Sequence, residues 1–211
     1  MTVEDIKKEY LNLGEHYITK DVDRLNKKLI KQKEDVSCLK DIVLSNQEYH
    51  RTYFQVSLGQ IKKVEDKFKF IEDNFSLLDD WWHVDQLLQF INTSLTLDFA
   101  YKKAKEYTSS SLPFVRRWGY VIFLKNLDKE DYAFSKIVSL LKNDEEYYVI
   151  MAEAWLISSL AIYNPEKTFN YLSNCPLNYS IVGRAIQKIC DSFRIHSSWK
   201  EKFKTIRKKY K

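Results

Sequence analysis

The chain has 211 residues, 45% of them hydrophobic, and its 34 Lys/Arg against 29 Asp/Glu leave a net charge of +5. With only four Gly and three Pro, it lacks the turn glycines of sheet proteins, and no two glycines lie close enough for GxGxxG or GxxxxGK(S/T) phosphate loops. Three distant Cys (Cys38, Cys175, Cys190), four scattered His (His16, His50, His83, His196), no run of 18 apolar residues and no signal-peptide pattern complete the exclusions. The expectation is one cytoplasmic, nearly all-helical domain over 1–211, with no metal and no cofactor.

Helical periodicity begins at once. Ile6, Tyr10, Leu13 and His16–Tyr17 fall roughly on one face, followed by Val22, Leu25, Leu29 and Ile30 at spacings of three and four. Tyr53 to Ile61 forms another apolar stretch, and Phe68, Phe70, Ile71 and Phe75 the next. Asp128 and Asn143 precede acidic first turns. Asn164-Pro165 reads as an N-cap followed by proline at the first helical position. Ser198 with Glu201 reads as a capping box. About twelve helices result.

Trp81, Trp118 and Trp155 are spaced by 37 and again 37 residues, each in an apolar helix followed by a more polar one. A period near 40 built of helix pairs is the pattern of HEAT-like or armadillo-like repeats. It predicts an all-α, curved right-handed solenoid of about six antiparallel helix pairs with a concave face.

Charge is distributed unevenly. Residues 184–211 carry a net charge of +8, and the preceding 183 residues carry −3. The basic end is either a solvated tail or a polyanion contact, in which each cation on a phosphate releases a counterion. The candidate phosphate contacts are Arg184, Lys188, Arg194, Lys204, Arg207 and Lys208, with Arg116 from an earlier helix.

The segment Asp80-Trp81-Trp82-His83-Val84-Asp85 is the least ordinary in the chain. A helix places Trp81 and Asp85, at i and i+4, on one face. An indole beside a carboxylate suits a cation. The alternative is that both tryptophans are core and Asp85 caps or pairs with a neighbouring helix. Arg116-Arg117 opens the next first-of-pair helix, where a cation is unfavourable against the helix dipole and implies an acidic or phosphate partner. Trp155 lies within a long apolar helix.

At these segments the sequence resembles a family. WWHVD, FVRRWGYVIFLK and YYVIMAEAWLISSLAIYNPEKTFNYL resemble the matching segments of the AlkD-like DNA alkylation repair enzymes, which are HEAT-like-repeat DNA glycosylases. The stretch from Gly183 to Arg194 is similar to the C-terminal helix of shorter bacterial members. The resemblance covers roughly residues 46–209, with residues 1–45 divergent helices and 184–211 basic C-terminal helices. It implies a catalytic Asp85 with Trp81 four positions before it, Arg117 in the next repeat and Trp155 as the second active-site indole. It further implies a monomer acting on duplex DNA, with the sugar of a cationic alkylpurine nucleotide held against the two indoles and the carboxylate. The same scaffold could instead bind DNA without catalysis, or serve as a protein–protein scaffold.

Overall fold

The computed structural model describes residues 1–91, 95–125, 127 and 133–208. Among the described residues there are twelve α-helices, three short 3-10 turns and no strand. The chain divides into two compact units, Met1–Ser94 and Leu95–Lys211.

The first unit contains α1 (Val3–Leu11), α2 (Thr19–Gln32), α3 (His50–Gln60), α4 (Val64–Glu72) and α5 (Trp81–Phe90). A capping box starts α1: Thr2 Oγ1 accepts from the Asp5 amide, and the Asp5 carboxylate accepts from the Thr2 amide. The helix stops at Leu11, earlier than the periodicity implied. Gly14 adopts φ +89, so Leu13 and His16 lie in a turn rather than on a continued helical face. The next helix, α2, ends on Lys33 in the left-handed region, where the Lys33 and Glu34 amides donate to the Ile30 and Leu29 carbonyls. Packing of α2 on α3, and of α3 on α5, builds the core. A buried polar chain crosses it. Asn26 Nδ2 donates to Gln55 Oε1, Thr52 Oγ1 donates to Asn26 Oδ1, and the Tyr10 hydroxyl lies 2.7 Å from Thr52 Oγ1. Each group is satisfied, as burial requires.

The second unit contains α6 (Leu97–Tyr107), α7 (Pro113–Val121), α8 (Ala133–Val138), α9 (Tyr147–Tyr163), α10 (Pro165–Asn174), α11 (Tyr179–Asp191) and α12 (Ser197–Arg207). Here the helices stack in chain order: α6 on α7, α7 on α9, α9 on α11 and α11 on α12. The 17-residue α9 is apolar on all sides because it is covered by α7, α10 and α11. Gly119 permits the approach of α6. A Cβ there would stand 2.8 Å from Thr108 Cγ2 and 3.1 Å from the Thr108 amide nitrogen.

Two cap assignments differ from the sequence reading, and a third, at Asp128, lies outside the described residues. Asn164 is the N-cap of α10 and Pro165 its first residue, as the sequence implied, although the Asn164 side chain makes no cap bond. Asn143, at φ 61, cannot start a helix. Its side chain instead accepts from the Asn178 amide and donates to the Pro176 carbonyl, while Asp144 receives the Glu146 amide. The N-cap of α12 is His196, whose Nδ1 accepts from the Ser198 amide, so Ser198 lies inside the helix and is no capping box with Glu201.

Candidate repair site and nucleic-acid interface

In the first unit, Asp80 starts α5 by accepting the Trp81 amide on Oδ1 at 2.6 Å. That places Trp81 at the first helical position, 45% exposed, with the half-buried Asp85 one turn later on the same face. His83 and Gln86, at other angles around the helix, point into the core. The imidazoles of His50 on α3 and His83 on α5 stack in parallel, with centroids 3.5 Å apart and an interplanar angle of 4°. His50 Nε2 bonds the Leu77 carbonyl at 2.9 Å, and Gln86 Nε2 donates to His50 Nδ1 at 2.8 Å. This pattern requires a neutral ring with its proton on Nε2. Burial, with His83 against it, pushes the His50 pKa down to about 3. Burial also lowers that of His83, opposed by Asp79 and Asp80, and His83 Nδ1 lies 2.8 Å from Asp79 Oδ1. Arg51 on α3 forms a two-pronged ion pair with Asp23 and reaches Gln86 and Gln89 on α5. At the far end, the buried Lys67 ammonium donates to the Phe90 carbonyl. The helix that carries Trp81 and Asp85 is therefore fixed along its length.

In the second unit, Pro113 opens α7, and its two arginines have different partners. Arg116 donates from Nε and Nη2 to the Asp144 carboxylate at 2.6 and 3.1 Å, and from Nη1 to the Ser110 and Ser111 carbonyls. Its partner is thus an acid on the α8–α9 connection. Arg117 is buried, and its Nη1 donates to the Tyr148 carbonyl at 2.6 Å in the first turn of α9. The connection that carries Asp144 is secured from below by Glu153 of α9, whose Oε1 accepts the Lys142 amide at 2.8 Å. Burial pushes the Glu153 pKa up, opposed by the Lys142 and Asp144 amides and the Tyr120 hydroxyl. Trp155, on the same helix, is half-buried, whereas Trp118 is fully buried.

Several basic residues of α11, α12 and their connection have partners within the chain. Arg184 donates to the Ser180 carbonyl and lies over the Tyr147 ring. Lys188 is half-buried. The exposed Arg194 donates to the Tyr163 hydroxyl at 2.9 Å and lies over its ring. Lys204 pairs with Glu201, Arg207 donates to Gln187, and Lys208 is exposed. Lys209 and Lys211 lie outside the described residues.

Two features of these surroundings were not read from the sequence. Of the four scattered histidines, two stack although 33 positions apart, and no local pattern announces it. Glu153 had a signal, being the lone acid in an apolar helix. Among the described residues, no group of three or more His, Cys, Asp or Glu could hold a metal ion, and no helix is long and apolar enough to cross a membrane.

Comparison with protein families matches residues 17–189 to the DNA alkylation repair enzymes. The match begins before the expected residue 46, taking in α2, and it ends within α11, leaving α12 outside. Neither the curated proteins nor the solved structures give a match. With more than three quarters of its length matched, and in the order of helices that carries WWHVD, the paired arginines and Trp155, the chain belongs to the DNA alkylation repair enzyme family.

Proposed function

We propose that the protein is a monofunctional DNA glycosylase that excises cationic N3- or N7-alkylated purines from duplex DNA. The observation that carries this reading is the pairing on α5 of an exposed indole with a half-buried carboxylate on one helical face, in a chain of the alkylation repair family. An alkylated purine already bears positive charge, so its glycosidic bond is labile and its departure needs little acid. The barrier lies in the oxocarbenium character that the sugar acquires. Asp85 stabilises that cation by charge, and Trp81 does so through its ring face. Both interactions grow as the bond stretches, so they favour the transition state over the ground state. Asp85 also orients the attacking water. The family resemblance assigns the second indole to Trp155 and a guanidinium to Arg117. The hydrogen bond to the Tyr148 carbonyl restricts the orientation of that guanidinium.

Base recognition plays no part in this scheme, so selectivity follows the lability of the substrate. Phosphate contacts come from the basic end of the chain. Arg116 contributes less charge than its sequence position implied, since Asp144 neutralises it.

The test is single-turnover release of 7-methylguanine from methylated duplex by wild type and Asp85→Asn. A transition-state contribution of ~3 kcal/mol corresponds to a loss of a little over a hundredfold in a variant that remains folded and bound to DNA. Wild-type release no faster than spontaneous depurination ends the enzyme reading and leaves a DNA-binding protein without catalysis.

A further inference from the structure

The connection between α11 and α12, residues 192–196, holds the most exposed large apolar side chain among the described residues. Phe193 is 95% exposed. A phenyl ring gains by burial, so one held on an ordered segment is open to a partner that stacks on it. This segment is tied down on both sides of the ring. The Ser192 amide closes α11 on the Lys188 carbonyl, and Ser192 Oγ accepts the Arg194 amide. Ile195 is buried in the α9–α12 core, and His196 caps α12. Arg194, next to the ring, has its guanidinium placed by the hydroxyl and ring of Tyr163. Lys188 lies shortly before the connection and Lys200 shortly after it. An exposed aromatic ring next to a cation fixed in orientation matches the chemistry of an unstacked nucleobase with its phosphate. The ring supplies a stacking surface and the guanidinium a charge-assisted hydrogen bond.

We propose that this connection is a DNA wedge: Phe193 stacks on a base at an unstacked position of the duplex while Arg194 holds the neighbouring phosphate. The proposal rests on the DNA-binding reading above, but not on catalysis. It also lies beyond the family match, which ends at residue 189.

The test uses the full chain and two short duplexes, one fully paired and one with a single unpaired nucleotide beside 2-aminopurine. Affinity is read by fluorescence anisotropy across a salt series, and stacking by 2-aminopurine quenching. Phe193→Ala should weaken binding to the interrupted duplex about tenfold, from base–aromatic stacking at the lower end of its range. It should also abolish the quenching and leave the salt slope unchanged, since no charge is removed. Phe193→Trp should restore affinity and quenching. Arg194→Ala should keep the quenching but make the log–log slope shallower by about 0.9, one phosphate contact.

Wild type that shows no salt-dependent binding to either duplex overturns the DNA reading and the wedge with it. If wild type binds but Phe193→Ala keeps full affinity and quenching, the wedge alone is overturned. The same holds if Phe193→Ala leaves DNA binding intact but converts a dimer to a monomer in sedimentation, which would give the ring to a second copy of the chain. Phe193 has no core contact to lose, so an unchanged melting temperature is the expected control.

Discussion

Acidification should destabilise the first unit through the stacked imidazoles, by an amount that can be worked out. The His50 pKa is about 3 in the folded chain, against 6.5 for the free side chain. Between these values the unfolded chain binds a proton that the folded chain refuses. Stability is therefore complete above pH 6.5 and falls as the pH drops toward 3, by about 1.4 kcal/mol for each pH unit. From pH 6.5 to pH 5 the loss from His50 is about 2 kcal/mol. His83, also lowered, adds to it in the same direction. The geometry explains why the folded state excludes the proton. A charge on either ring would face the parallel ring at 3.5 Å, and both nitrogens of His50 are already committed, one to the Leu77 carbonyl and one to the Gln86 amide. The assay is urea denaturation at several pH values between 7.5 and 5, roughly spanning the free-histidine pKa, for wild type and His50→Gln. Glutamine can donate to Leu77 and accept from Gln86 but has no pKa in this range. The variant should lose stability at neutral pH and show a shallower pH dependence. Equal slopes for the two proteins, or a flat wild-type profile, would refute the reasoning.

Two further outcomes are expected. Trp118→Ala empties a fully buried site and should cost about 3–5 kcal/mol in denaturant unfolding. Trp81→Ala, at a half-exposed ring, should cost under ~1 kcal/mol while slowing excision; comparable stability losses for the two would show that Trp81 is core. Replacing Lys204, Arg207 and Lys208 by Ala should make the salt dependence of DNA binding shallower by roughly 0.9 in log–log slope for each that contacts a phosphate, and an unchanged slope would assign the basic end to solvation.

Much of the fold was legible because helices are local. Apolar spacings of three and four and Pro165 at a first helical position act within one turn, and Pro165 does open α10. Caps were less legible. Asn143 and Ser198 have the right side chains for the task, but a cap depends on the φ/ψ of a residue whose conformation is set by what the neighbouring loop packs against. The tryptophan period illustrates the same limit. Trp81, Trp118 and Trp155 share a spacing of 37, yet Trp118 is entirely buried while Trp81 is 45% exposed. Equal spacing marks the repeated helix pair, not the face, because each tryptophan occupies a different turn of its helix.

The sequence by itself therefore determined the all-helical class, the pairing of helices, the family, and the placement of Trp81 with Asp85 on one face of α5, since i and i+4 are neighbours on any helix. Tertiary structure alone decided that Arg116 is neutralised by Asp144, that Arg117 is buried against the Tyr148 carbonyl, and that His50 and His83 form one stacked unit. These partners lie 28, 31 and 33 positions apart. At such separations the meeting of two side chains depends on how whole helices dock, and docking is driven by the burial of apolar faces that leave no local mark on the polar residues they bring together.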